Sequence, residues 1–178
     1  MTKTAIYPGS FDPFTLGHLD IVNRAKTIFD KIYIAIGENG SKKNLFTAKE
    51  RKEQIEEIFK DDPAITVIIF NDLLVDFARQ VNVFTVIRGL RAVSDFEYEF
   101  LMASTNRAME PKVESVFFMT SDKYSFLSSS IVKEVASKNG SYLSHFVTPN
   151  VEKALRGKFR LMEFVFFGGV FGQRKENK

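Results

Sequence analysis

"YPGSFDPFTLGH", Tyr7 to His18, decides how this chain is read. It lies between a short apolar run, "TAIY" (Thr4–Tyr7), and a stretch around Leu19–Phe29 in which Val22, Ala25 and Phe29 recur at helical spacing. A strand-to-helix loop needs only a few residues and a cap. This one carries Pro8, Pro13, Gly9, Gly17, a serine, an aspartate and a histidine. Gly9 and Gly17 let the backbone approach a ligand closely or take positive φ. Gly17 and His18 stand where the first helix begins, where outward-pointing N–H groups and the helix dipole favour an anion. Ser10 adds a hydroxyl at the strand's end. The stretch reads as a phosphate cradle with a histidine at its lip. The plainer alternative is turn chemistry, with His18 an ordinary helix-start residue.

Outward from the loop the same alternation repeats. "KIYIAIG" (Lys31–Gly37) is a second strand, and "TAKE" (Thr47–Glu50) is a capping box opening a helix with Ile55, Ile58 and Phe59 on one face. "AITVIIF" (Ala64–Phe70) is a third strand, continuously apolar and so expected to be buried on both faces. "LLVDFARQ" is a short helix, and "VFTVIRG" is a fourth strand ending at Arg88 and Gly89. "SDFE" (Ser94–Glu97) is a second capping box, opening a helix to about Met109, and "VESVFFM" (Val113–Met119) is a fifth strand. "SSIVKEVAS" is a helix capped by Asn139-Gly140, and Pro149 takes the first position of the last helix.

This alternation predicts an α/β fold: a single Rossmann-like domain over residues 1–160, with a five-stranded parallel sheet and helices on both faces. In such sheets ligands bind outside the carboxyl ends of the strands, at the switch in strand order. That rule points to Pro8–His18, Gly37–Phe46, Phe70–Leu74, Arg88–Arg91 and Thr120–Ser130. The remaining tail, residues 161–178, is Phe-rich and then charged, and its apolar part is too short to span a bilayer. Packing on the domain or covering a subunit interface is the expectation.

Composition narrows the chemistry. The 178 residues carry 25 basic and 22 acidic side chains, a net charge of +3. This mild excess suits phosphate-bearing ligands, and no element interleaves basic with aromatic residues as nucleic-acid binding would require. The absence of cysteine excludes disulfides, thiolate catalysis and zinc–thiolate sites, and His18 and His145 alone exclude a histidine-rich metal site. The N-terminus lacks the apolar core of a signal peptide, so a soluble cytoplasmic protein is expected.

"TLGH" (Thr15–His18) matches the T/H-x-G-H signature of the nucleotidyltransferase superfamily. With "YPGSFDPFTLGH", "SKKNLF" (Ser41–Phe46), "IRGLRAVSDFEYE" (Ile87–Glu99) and "YSFLSSSIVKEVA" (Tyr124–Ala136), the chain closely resembles the bacterial phosphopantetheine adenylyltransferases from about residue 4 to about 156. The resemblance implies transfer of the adenylyl group of ATP to 4′-phosphopantetheine, with Mg²⁺ accompanying the nucleotide. It implies catalytic roles for Ser10, His18, Lys42 and Arg91. It places the acceptor against Ser10, Lys42, Leu74 and Arg88. It places the nucleotide against Ser10, Phe11, His18, Gly89, Leu90, Arg91 and Glu99, and against Tyr124, Ser125, Phe126, Leu127, Ser128, Ser129 and Ser130. Homohexamers and feedback inhibition by CoA come with it. The other readings are a relative acting on another phosphate acceptor, such as nicotinamide mononucleotide, and a non-catalytic module that binds CoA or ATP. The Gly-Leu-Arg and Ser-Ser-Ser elements weigh against the first. The intact set Ser10, His18, Lys42 and Arg91 weighs against the second.

Overall fold

The computed structural model describes residues 2–38, 43–91, 93–138 and 140–168, with backbone alone at 93–94 and 161–168. Lys42, Asn139 and the tail beyond 168 therefore lie outside the described residues, as do the side chains of 161–168.

Five parallel strands, β1 (Thr4–Gly9), β2 (Lys31–Gly37), β3 (Ile65–Phe70), β4 (Thr85–Leu90) and β5 (Glu114–Met119), stand in the order β3-β2-β1-β4-β5. The chain starts in the middle of the sheet, winds outward to β3, and crosses back to β4 and β5. The reversal falls between β1 and β4, where Ile6 lies opposite Val86. Six helices connect and cover the strands: α1 (Leu16–Ala25), α2 (Ala48–Ile58), α3 (Leu74–Val81), α4 (Val93–Met109), α5 (Ser129–Lys138) and α6 (Pro149–Gly168). The expected α/β architecture is the observed one.

Strand side chains alternate between two faces. Ala5 and Tyr7 join Ile21, Val22, Ile34, Ile55 and Ile87 in one core, whereas Ile6 joins Ala35, Val75, Phe77 and Val86 in the other. A third cluster, built from Phe46, Leu127, Val132, Leu143, Val151 and Leu155, packs α5 and α6 against the rim where the loops emerge.

Four local expectations are corrected. β3 is an edge strand with only Val67 buried and Thr66 exposed, because no strand of the described residues pairs with its outer side. α1 begins at Leu16, just ahead of the Gly17–His18 start read from sequence, because Thr15 caps it, and it ends at Ala25 rather than Phe29. α4 already includes Val93, so Ser94 sits inside the first turn and is not the cap of a box with Glu97. Neither Gly9 nor Gly17 has positive φ; in this loop that conformation belongs to Phe11, at φ 49°. The Phe11 ring folds back so closely that a Cβ on Gly9 would sit 2.8 Å from it, which is why glycine is needed there. The box at Thr47–Glu50 stands: Glu50 N–H donates to Thr47 Oγ1 at 3.2 Å and Thr47 N–H to Glu50 Oε2 at 2.7 Å.

Candidate active site

A cavity of about 510 Å³ opens at the carboxyl ends of β1 and β4, at the topological switch. One wall is the loop from Pro8 to His18, another the end of β4, and a third the start of α5.

His18 occupies the third position of α1 and completes a cap in which it replaces the usual glutamate. Thr15 N–H donates to His18 Nδ1 at 3.0 Å, and His18 N–H donates to Thr15 Oγ1 at 3.3 Å. With its Nδ1 lone pair taken by a backbone donor, the neutral ring carries its proton on Nε2. Burial first, and the Arg91 charge second, push its pKa from 6.5 down to about 4. The ring packs among Phe11, at 5.1 Å between centroids, Phe14 at 5.3 Å and Tyr7 at 6.4 Å. His18 is thus both a helix cap and a cavity group: a neutral N–H donor at a helix N-terminus. Leu16 N–H is used by Phe146 O at 2.8 Å, so at the start of α1 the Gly17 N–H is left beside His18 at the cavity wall.

Two arginines close the β4 side. Arg88 is held bidentately by Glu99, with Nη2 to Oε1 at 2.7 Å and Nε to Oε2, and its Nη1 reaches Pro8 O at 3.4 Å. Glu99 fixes the guanidinium plane on α4's side of the cavity. Arg91 donates from Nε to Asp95 Oδ2 at 2.9 Å and from Nη1 to Leu127 O at 3.3 Å, tying β4 to the segment that leads into α5.

At the start of α5 the serines divide their work. Ser128 is the cap: its Oγ accepts from Ile131 N–H at 3.2 Å and keeps its own proton for a ligand. Ser129 Oγ donates to Pro13 O at 2.8 Å, so toward an anion Ser129 offers its backbone N–H.

The structure gathers Ser10, Phe11, His18, Arg88, Gly89 and Arg91 at this cavity, together with Glu99, Tyr124, Leu127, Ser128, Ser129 and Ser130. It does not bring four others to the wall. Leu74 packs at the head of α3 against the second core. Leu90 is buried, Ser125 turns its hydroxyl to Asp122 O at 2.8 Å, and Phe126 stacks edge-on with Phe146 at 6.2 Å. Lys42 lies outside the described residues.

Three residues behind the wall were not picked out from sequence. Asp12, buried, accepts Leu45 N–H and Phe46 N–H at 2.9 Å each and pairs with Lys133 Nζ at 2.9 Å. Arg51, buried, donates from Nε to Phe46 O at 3.2 Å and Thr47 O at 3.3 Å and from Nη1 to Ser10 O. Its burial, which lowers the guanidinium pKa, is countered by the charges of Asp12 and Glu38. The only sequence signal was a charged residue at a core position of a helix, Arg51 standing four residues before Ile55 on the buried face of α2.

The cytidylyltransferase-like family profile matches residues 6–135. A curated relative from Caldanaerobacter subterraneus subsp. tengcongensis, named phosphopantetheine adenylyltransferase, is 50% identical over 158 residues, covering 89% of this chain and 98% of the relative.

This chain belongs to the phosphopantetheine adenylyltransferase family.

Solved structures of more distant nucleotidyltransferases share its fold. The nicotinic acid mononucleotide adenylyltransferase of Plasmodium falciparum, complexed with APC, superposes with a TM-score of 0.62 at 14% identity, covering 92% of this chain and 98% of that one. A bifunctional NMN adenylyltransferase/ADP ribose pyrophosphatase from Francisella tularensis, complexed with AMP and a manganese ion, gives 0.63 at 15% identity, covering 100% of this chain and 58% of that one. At these identities they carry the fold alone.

Proposed function

We propose that the protein transfers the adenylyl group of ATP to 4′-phosphopantetheine, giving dephospho-CoA and pyrophosphate. The observation that carries the reaction type is His18: a ring held neutral, its Nε2–H set at a helix N-terminus beside two arginines. The choice of acceptor is supported by the 50% identical relative.

An oxygen of the acceptor's phosphate forms a bond to the α-phosphorus of ATP while the bond from that phosphorus to the bridging oxygen breaks. The leaving group departs as pyrophosphate. A phosphate monoester is already anionic near neutral pH, with a second pKa near 6, so no general base is required. What the site must offset is repulsion: two unit charges about 4 Å apart repel by about 4 kcal/mol at an effective dielectric of 20. Catalysis here is positioning and charge neutralisation.

Ser10 orients the acceptor phosphate through its hydroxyl. Arg88, its plane fixed by Glu99, grips that phosphate as a fork. His18 donates Nε2–H to the α-phosphate, and Gly17 N–H lies beside it. Arg91, the Ser128 hydroxyl and the first N–H groups of α5 take the β- and γ-phosphates. Lys42, outside the described residues, is assigned by the family resemblance to the phosphates of both reactants. Leu74, Leu90, Ser125 and Phe126, which do not line the cavity, take no part in this scheme.

Among the described residues no group of three His, Cys, Asp or Glu side chains could hold a metal ion. The two carboxylates at the cavity wall, Asp95 and Glu99, are paired with Arg91 and Arg88, so Mg²⁺ would be held by the phosphates of the nucleotide, where it neutralises their charge.

CoA retains the adenylate and phosphopantetheine of the product and so competes for the same cavity. On α4, Phe96, Phe100 and Leu101 are exposed, an apolar surface of the kind that copies of a chain bury in a homohexamer. No helix of the described residues is long and apolar enough to cross a membrane.

The test is product analysis with ATP, Mg²⁺ and each acceptor in turn. Dephospho-CoA and pyrophosphate in equal amounts are expected. Turnover with nicotinamide or nicotinic acid mononucleotide alone would replace the acceptor, and binding of both substrates without pyrophosphate release would leave a binding module.

A further inference from the structure

Tyr7 is 5% exposed, yet among the described residues its hydroxyl meets no hydrogen-bond partner. Among the described residues the solvent-excluded side-chain oxygen without a partner is Gln54 Oε1, so the Tyr7 oxygen is reached from the cavity and is open to a ligand. The side chain lines the active-site cavity, and its oxygen stands 3.9 Å from where a Cβ on Gly89 would lie. Its ring is fixed edge-on against Phe11, with centroids 5.3 Å apart, and lies 6.4 Å from that of His18. The next residue, Pro8, gives its carbonyl to Arg88. Tyr7 is therefore the wall residue between His18, assigned to the α-phosphate, and Arg88, assigned to the acceptor phosphate.

We propose that Tyr7 is a substrate-contact residue whose hydroxyl donates a hydrogen bond to a phosphoryl oxygen at the point where the two reacting phosphates meet. This rests on the adenylyl-transfer reading above. Burial raises the phenol pKa well above its usual value, so the group stays protonated and acts as a donor, not as a base. A neutral donor suits this place. It stabilises charge that builds up as the α-phosphorus becomes five-coordinate without holding the product dianion as tightly as another cation would.

The experiment compares wild type with Tyr7→Phe, which keeps the ring and removes one oxygen. Thermal melting, ATP binding by calorimetry, and steady-state kinetics with ATP, Mg²⁺ and 4′-phosphopantetheine are measured on both. The expected result is a melting temperature equal to or above wild type, an unchanged ATP Kd, and a kcat lowered about 10- to 100-fold, the worth of one hydrogen bond to a charged acceptor. A lower melting temperature with unchanged kcat would make the hydroxyl structural and overturn the proposal. A raised ATP Kd with unchanged kcat would place it on the nucleoside and also overturn it. A wild type that makes no dephospho-CoA would instead overturn the reaction assigned above, so the two failures are distinguishable.

Discussion

Behind the Tyr7–His18 loop lie Asp12, Arg51 and Lys133; in front of it lie Ser10, His18, Arg88 and Arg91. The rear set is buried or half-buried, and its charges are turned inward. Asp12 and Arg51 between them hold Ser10, Leu45, Phe46 and Thr47 by the backbone, while Lys133 brings in α5. The front set is anchored on one side and open on the other. His18 is held by Nδ1. Arg88 is held by Glu99, and Arg91 by Asp95. The lesson is a division of labour. Charges that build the wall bind backbone and side-chain groups of the protein away from the cavity, and charges that face substrate are oriented by a protein partner while lining the cavity. Damage to the first set should appear as lost stability, and damage to the second as lost rate or affinity.

The largest effect expected is on the rear set. Asp12→Ala leaves two buried N–H groups and the Lys133 ammonium without their acceptor, and it should cost about 3–5 kcal/mol in chemical denaturation. A loss under about 1 kcal/mol would mean that the partners find water and that the rear set is not a scaffold. Arg88→Lys sharpens the other side. A planar fork becomes a point charge that cannot satisfy Glu99 and a phosphate together, so the KM for 4′-phosphopantetheine should rise about tenfold while ATP affinity holds. An unchanged acceptor KM would remove Arg88 from the acceptor site.

The smallest effect is itself diagnostic. The His18 pKa of about 4 means that the ring does not titrate near neutral pH. An NMR titration, assigned with His18→Ala, should show one imidazole protonating near 4. Because the folded pKa lies below the ordinary 6.5, the unfolded chain binds the proton first as acid is added. The stability this cap contributes is complete above about pH 6.5 and is lost as pH falls toward 4. The acid limb of activity should then follow the acceptor phosphate near pH 6, not His18. Assignment to His18 of an imidazole titrating at 6.5 would contradict the neutral donor.

How far these regions could be read in advance differs for the same reason. The strand–helix alternation carried the fold because apolar periodicity is local, and it missed only what neighbours decide. β3 reads as a buried strand from its own residues and lies at the edge because, among the described residues, no further strand is added beside it. The front set was legible because glycine, histidine and serine at strand and helix ends have few local explanations. The rear set was not: Asp12 reads as a turn residue and Arg51 as one more charge on a polar helix until residues about 30 to 120 positions away are brought to them. Tyr7 was hidden likewise, its position in β1 marking it as core while its oxygen reaches the cavity. Gly9 was noticed for a close approach to a ligand or a positive φ; it lines the cavity without positive φ, and the need for glycine arises also from Phe11, whose ring position no local pattern foretells.

The most direct test of the division, and of the chemistry assigned to it, is His18→Ala measured for dephospho-CoA formation and ATP binding side by side. Loss of a donor that acts mainly in the transition state should lower kcat by about 100- to 1,000-fold while the ATP Kd stays within a few-fold of wild type. Equal losses in both, or turnover undiminished, would show that His18 only caps α1 and that the front wall does not quench the repulsion between the two phosphates.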